Sequence, residues 1–300
     1  MWRVVVGLLL ASPAWAASGL QWKWTEGQTR RWLLKSEVEL AEPMDFLGRL
    51  NVDTRISKFT LTGIVACTAT FPLGKRGWEL RCDIEHASLT AVALPSHVGR
   101  VGVVVEEWVR VAEGESWLQV VQRPDGRLSS VHLEGVDRSN DRFQRVAEWT
   151  RQMWMRALAP LDIHLPKKGE AEGVWPQKGG LAFAAPSFTG GIGAVLWTHT
   201  LQPGDGPVVA WTDDGRGTIQ PGGEYVESSM MTLSMSLSGS GRFDTADGSL
   251  EESQYRVVGT ATASSMQAEA GRNPKYVQTS YAQRLADGVV PALPPSGEVR

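Results

Sequence analysis

Alternation of apolar and polar positions runs through most of the chain. Residues 20–25 (LQWKWT) put Trp22 and Trp24 on one face of an extended segment, and residues 230–238 (MMTLSMSLS) alternate as a half-buried strand does. Further extended stretches read at 29–40, 50–71, 78–91, 103–111, 117–122 and 128–133, then at 194–201, 208–212, 218–220, 253–264 and 276–285. Turn chemistry punctuates them. Pro124-Asp125-Gly126-Arg127, Asp213-Asp214-Gly215-Arg216-Gly217 and Phe243-Asp244-Thr245-Ala246-Asp247-Gly248 all carry Asp-Gly character, which tolerates the positive φ of a tight hairpin.

One segment changes period. In residues 141–158 (DRFQRVAEWTRQMWMRAL), Phe143, Val146, Thr150, Met153, Trp154, Ala157 and Leu158 recur at three- and four-residue steps. Arg145, Glu148, Arg151, Gln152 and Arg156 fall on the other side. Trp149 at the edge and Met155 off the apolar face add a surplus that suits a helix plugging or lidding a curved sheet. Pro160 and Pro166 end it. The expected fold is therefore mainly β: a curved antiparallel sheet or half-barrel with one central amphipathic helix at about 141–158.

The first sixteen residues change the picture of where this fold works. Arg3, the apolar run 4–10 and Ala14-Trp15-Ala16 compose a secretory signal, with cleavage expected after Ala16. Residues 17–286 then read as a single β-rich domain, with two sub-halves at 17–165 and 175–286 that share Trp-bearing strands and Asp-Gly turns. Residues 287–300 hold three prolines and read as a disordered tail. Losing Arg3 with the signal takes the net charge from −3 to −4, which argues against a nucleic-acid partner. No later stretch is apolar enough for a transmembrane helix, and no Cys stands at the cleavage point to take a lipid. An exported protein, periplasmic or extracellular, is expected.

Cys67 and Cys82 are the only two cysteines. A hairpin centred between Gly74 and Lys75 sets them directly opposite each other, so an exported chain is expected to bond them.

The segment from Trp117 to Trp175 runs strand, Asp-Gly turn, strand, helix, Leu165-Pro166 and Gly173-Val174-Trp175. Together with Gly241-Arg242-Phe243-Asp244 before Asp247-Gly248, it resembles secreted bacterial β-rich proteins of uncharacterised function, some of them similar to half-barrel lipoprotein carriers of the periplasm. The resemblance covers about 130 residues and rests on turn motifs. It implies a curved sheet around an apolar interior and transfers no site residues. The missing lipidation Cys departs from any lipoprotein among such relatives.

Candidate chemistry is sparse. The five histidines, His86, His97, His132, His164 and His199, lie more than ten residues apart, so no local metal motif exists. There is no G-x-S-x-G, and Gly239-Ser240-Gly241 reads as a strand bulge or turn. Glu106-Glu107 and Glu251-Glu252 are strand neighbours that point to opposite faces, and so make no acid/base couple. No catalytic residue, metal or cofactor is expected. Tryptophan stands out, with 13 Trp against 7 Phe and 4 Tyr. These rings fill a core, line an apolar cavity or stack sugars. The candidate lining of an apolar site is Trp22, Trp24, Trp108, Met153, Trp154 and Trp197. The leading expectation is a non-enzymatic binder of a lipid or other apolar small molecule. An envelope or surface interaction module comes second, and a carbohydrate-active or hydrolytic enzyme last.

Overall fold

The computed structural model describes residues 20–45, 55–112, 116–136, 141–166, 173–178, 192–202, 206–220, 231–263, 275–294 and 299. The first sixteen residues and most of the 180–193 stretch lie outside them. The elements are β1 (Thr29–Asp45), β2 (Arg55–Pro72), β3 (Trp78–Ala93), α1 (Val98–Ala112), β4 (Trp117–Gln122), β5 (Leu128–Glu134), α2 (Asp141–Leu158), β6 (Val174–Lys178), β7 (Ile192–Leu201), β8 (Val208–Gln220), β9 (Met231–Asp244), β10 (Ser249–Ala263) and β11 (Lys275–Leu285).

All eleven strands form one antiparallel sheet, in the order β5-β4-β3-β2-β1-β11-β10-β9-β8-β7-β6. Each strand pairs with its chain neighbour except at the middle, where β1 meets β11 through registers such as Leu34↔Ala282 and Ser36↔Ser280. The sheet is open, with β5 and β6 as its ends. Both ends resist pairing with another chain. β6 carries Pro176, which lacks an N–H, and the Val131 carbonyl of β5 accepts a hydrogen bond from the Arg151 guanidinium at 3.3 Å.

Period-2 alternation decides the two faces. Trp32, Leu34 and Val38 of β1, Leu61 and Val65 of β2, Leu118 and Val120 of β4, Leu237 and Phe243 of β9, and Val257 of β10 point inward and are buried. Ser234, Ser236 and Ser238 of β9 and Thr212, Asp214 and Arg216 of β8 take the outer, exposed face. Helix α2 lies against the inner face, touching β5, β1, β2 and β11, and α1 packs on β3 and α2.

Several expectations need correction. Residues 103–111 are not a strand but the body of α1, so the described residues hold two long helices. Val101, Val104, Val105 and Trp108 recur at helical spacing and are all buried, and that burial outweighs the β preference of valine. Glu106 and Glu107 therefore sit on a helix. Residues 20–25 form no strand, yet Trp22 and Trp24 are both buried. Residues 213–217 are not a turn, because β8 runs unbroken through them. Asp213 and Gly215 fall on inward positions, and a Cβ on Gly215 would come within 3.1 Å of the Leu196 carbonyl and of Trp197 Cβ, so glycine there lets β7 lie close. Gly239-Ser240-Gly241 likewise lies within regular β9 pairing. Arg156, placed by its spacing on the polar side of α2, is fully buried with its guanidinium over the Phe59 ring.

Other readings hold. Helix α2 spans the expected residues. The turns at 124–127 and 245–248 form, with positive φ at Gly126 and Gly248. Cys67 faces Cys82 in the β2–β3 register, and the two are disulfide-bonded.

Candidate functional site

The inner face carries three aromatic groupings, and the six expected lining residues divide among them. The first lies at the end of the sheet where the N-terminal segment crosses. Trp22 and Trp24, with Trp32, the Cys67–Cys82 disulfide, Leu80, Val120, Gln122 and Leu158, surround a pocket with about 10 Å³ free, room for one water at most. The Trp24 indole donates to Gln122 Oε1 at 2.7 Å, and Trp22 meets Phe243 edge-on. The second grouping is on the helices: Trp154 and Met153 of α2 and Trp108 of α1, with the two indoles stacked at 6.4 Å. Trp154 reaches the sheet at Gly63, where a Cβ would stand 2.5 Å from its ring. The third surrounds Trp197, which packs against His199 and Tyr255. The structure thus spreads the six along the inner face rather than around one pocket.

The N-terminal segment is fastened by Arg30. Its side chain is buried, stacks over Trp24 at 4.4 Å, and donates to the carbonyls of Lys23, Asp247 and Gly248. Burial lowers its pKa to about 10, against the opposing pull of Asp247. Burial raises the Asp247 carboxyl, but the Ser249 hydroxyl, Arg284 and Arg30 outweigh it and hold Asp247 below the usual carboxylate range. The same logic holds at the β4–β5 turn. There Arg127 and, more weakly, His164 outweigh burial and keep Asp125 low.

Beside the third grouping lies a polar network that sequence reasoning missed. His199 of β7 is completely buried, with Nδ1 2.6 Å from Asp213 Oδ1 on β8 and Nε2 2.9 Å from Gln177 Oε1 on β6. The ring stacks on Trp175 at 4.8 Å. Gln177 can point only one way. Its Nε2 donates to the Asp162 carbonyl at 3.0 Å, and its Oε1 accepts from the His164 amide at 2.9 Å. His199 Nε2 must therefore donate to Gln177, and one proton lies between Nδ1 and Asp213. The signal available in the sequence was the alternation of β7 and β8, which sets His199 and Asp213 on the same face. The Asp-Gly pair obscured it.

Chemically, the inner face is rich in donors. The indole N–H groups of Trp22, Trp32, Trp108, Trp154 and Trp211 are buried with no hydrogen-bond partner among the described residues. Among those residues, no three His, Cys, Asp or Glu side chains gather as a metal site. A larger recess of about 560 Å³ is polar, lined by Arg242, Glu251, Glu252, Gln283, Arg284 and Asp287. Its Arg242 pairs with Glu251, and its Arg284 pairs with Asp247. No described helix is long and apolar enough to cross a membrane.

No protein-family model matches the sequence, and no curated protein matches it. Among solved structures the similarity is weak. A structure described as lipid-protein interactions in lipovitellin is 8% identical with a TM-score of 0.49, over 91% of this chain and 27% of that one. This chain therefore spans about a quarter of the lipovitellin chain. DynF from the dynemicin biosynthesis pathway of Micromonospora chersina is 9% identical with a TM-score of 0.20, over 95% of this chain and 92% of its own. OccK7 of Pseudomonas aeruginosa is 10% identical with a TM-score of 0.19, over 88% of this chain and 100% of its own.

Proposed function

We propose that this protein is an exported, non-enzymatic binder of an apolar or lipidic ligand, held between the inner face of the open sheet and α2. The observation that carries the reading is the set of five buried indole donors that meet no acceptor among the described residues. Burying an unmet donor costs about 1–3 kcal/mol, so an interior holding several is stabilised by any molecule that brings acceptor oxygens on an apolar frame. An acyl chain with its carboxylate or ester is such a molecule. The faces support the same reading. A sheet with serine, threonine and charge outward and apolar side chains inward suits a water-borne container, whereas a barrel wall in lipid needs the opposite arrangement. The pocket at Trp22 and Trp24 has only about 10 Å³ free, so a ligand takes its place there only as the elements packed on the inner face move apart.

Native mass spectrometry of the exported protein, with titration by dansyl-undecanoic acid and by palmitate, tests this. Co-purified lipid, dye binding displaced by palmitate, and shifts of indole N–H resonances are expected. A protein that carries no lipid and binds neither probe sinks the proposal. One observation favours a second reading, an envelope interaction module: the aromatic pocket at Trp22 and Trp24 is filled almost completely by the chain itself. That outcome would stand if both probes fail.

A further inference from the structure

The two free ends of the sheet, β5 and β6, are consecutive in the chain, and the segment after α2 runs between them as a strap. Its hold on the two sides differs in kind. On the β5 side, the Leu165 amide donates to the Asp125 carbonyl at 2.7 Å, and the Leu128 amide donates to Asp162 Oδ1 at 2.8 Å. Backbone also closes on backbone there, since a Cβ on Gly126 would collide with the Ile163 carbonyl. On the β6 side, among the described residues, the strap is held by two side chains. The Trp175 indole donates to the His164 carbonyl at 2.6 Å, and Gln177 takes both the His164 amide and the Asp162 carbonyl.

Gln177 is itself seated on His199, and His199 on Asp213. An ionisable pair buried at a seam is not the strongest way to shut it. Apolar side chains of similar volume usually hold as firmly or more so, while a polar network specifies one closed geometry and loses much when a single member moves.

We propose that residues 161–166 form a clasp that opens on its β6 side, with Gln177 as its pin and the His199–Asp213 pair as the seat of that pin. The clasp governs access to the inner face, and this last step rests on the ligand reading above. Opening swings β6, with the Leu196–Thr200 stretch of β7 that pairs with it, away while the strap stays docked on the β4–β5 turn.

Amide-resolved hydrogen exchange on the ligand-free protein tests the clasp. Two adjacent amides report on opposite sides: His164 on the β6 side and Leu165 on the β5 side. Gln177→Met removes all three hydrogen bonds at similar volume. It is expected to speed exchange of the His164 amide and of the β6–β7 ladder by about tenfold or more, with Leu165 and Leu128 unchanged. Equal acceleration at Leu165, or acceleration spread into β1 and β2, overturns the clasp. Should Gln177→Met fail to fold, Asp213→Asn is read by the same criterion, with His164 loosening before Leu165. The uptake rate of dansyl-undecanoic acid tests the gate separately. Faster uptake in the loosened variant supports it, and an unchanged rate in proteins that bind the dye overturns it. If neither protein binds the dye, the ligand reading fails, and the exchange result still decides the clasp.

Discussion

Trp154 is the point at which α2 is pressed into the sheet, so removing it measures how firmly the helix fills the inner face. The side chain is fully buried, stacked on Trp108 and seated on Gly63. Trp154→Ala opens a hole of roughly 140 Å³. If the walls relax to leave about half of that volume, at about 24 cal/mol per Å³ the cavity costs ~1.7 kcal/mol, and with the lost transfer energy the total is about 3–5 kcal/mol. The indole N–H has no partner among the described residues, so Trp154→Phe removes an unmet donor along with some area and is expected to cost about 1 kcal/mol or less. Gly63→Ala drives a methyl into the ring and toward the His86 carbonyl 2.9 Å away, so it destabilises by itself. The double variant Gly63→Ala/Trp154→Ala is relieved of the first collision and not the second, and should be more stable than the sum of the singles predicts by about 1 kcal/mol. Urea unfolding read by far-ultraviolet circular dichroism gives all four values. A loss below about 1 kcal/mol for Trp154→Ala, or strict additivity with Gly63→Ala, would refute the picture of a helix seated on the sheet.

Two further outcomes are expected. Replacing Cys67 and Cys82 together by alanine, or reducing the bond, should cost about 3 kcal/mol, because the bridge closes a loop of 15 residues; an unchanged urea midpoint would contradict this. Asp125 and Asp247 both have folded-state pKa values below the ordinary carboxylate value, so their contribution is complete above about pH 5 and drains away as pH falls through about 4 and below. Urea midpoints across pH 2–7 check the sign, and Asp247→Asn should flatten the acid limb. A midpoint that rises on acidification would be the wrong sign.

Most strands and the α2 helix were legible in the sequence, since period-2 and period-3.6 patterning act over a few residues and tight turns announce themselves by Asp and Gly. The Cys67–Cys82 pairing was legible for the same reason: one hairpin turn sets its register. The misreadings share a cause. Val103–Val105 looked like strand because valine favours strands, but the inward face at 101, 104, 105 and 108 had a partner in β3 and α2 that local pattern does not contain. Residues 213–217 looked like a turn because the dipeptide Asp214-Gly215 commonly makes one. Here Gly215 lets the neighbouring strand lie close, and Asp213 receives His199.

The sequence alone therefore determined the elements with strong local period, the disulfide and the division of each strand into an inner apolar and an outer polar face. Tertiary structure decided what lies across from what: β1 against β11, Trp154 on Gly63, the strap across the open ends, and the Gln177–His199–Asp213 network beneath it. Alternation and turn chemistry are energies of neighbouring residues. The pairing of β1 with β11 joins residues some 250 positions apart, and only the burial of the whole inner face selects it.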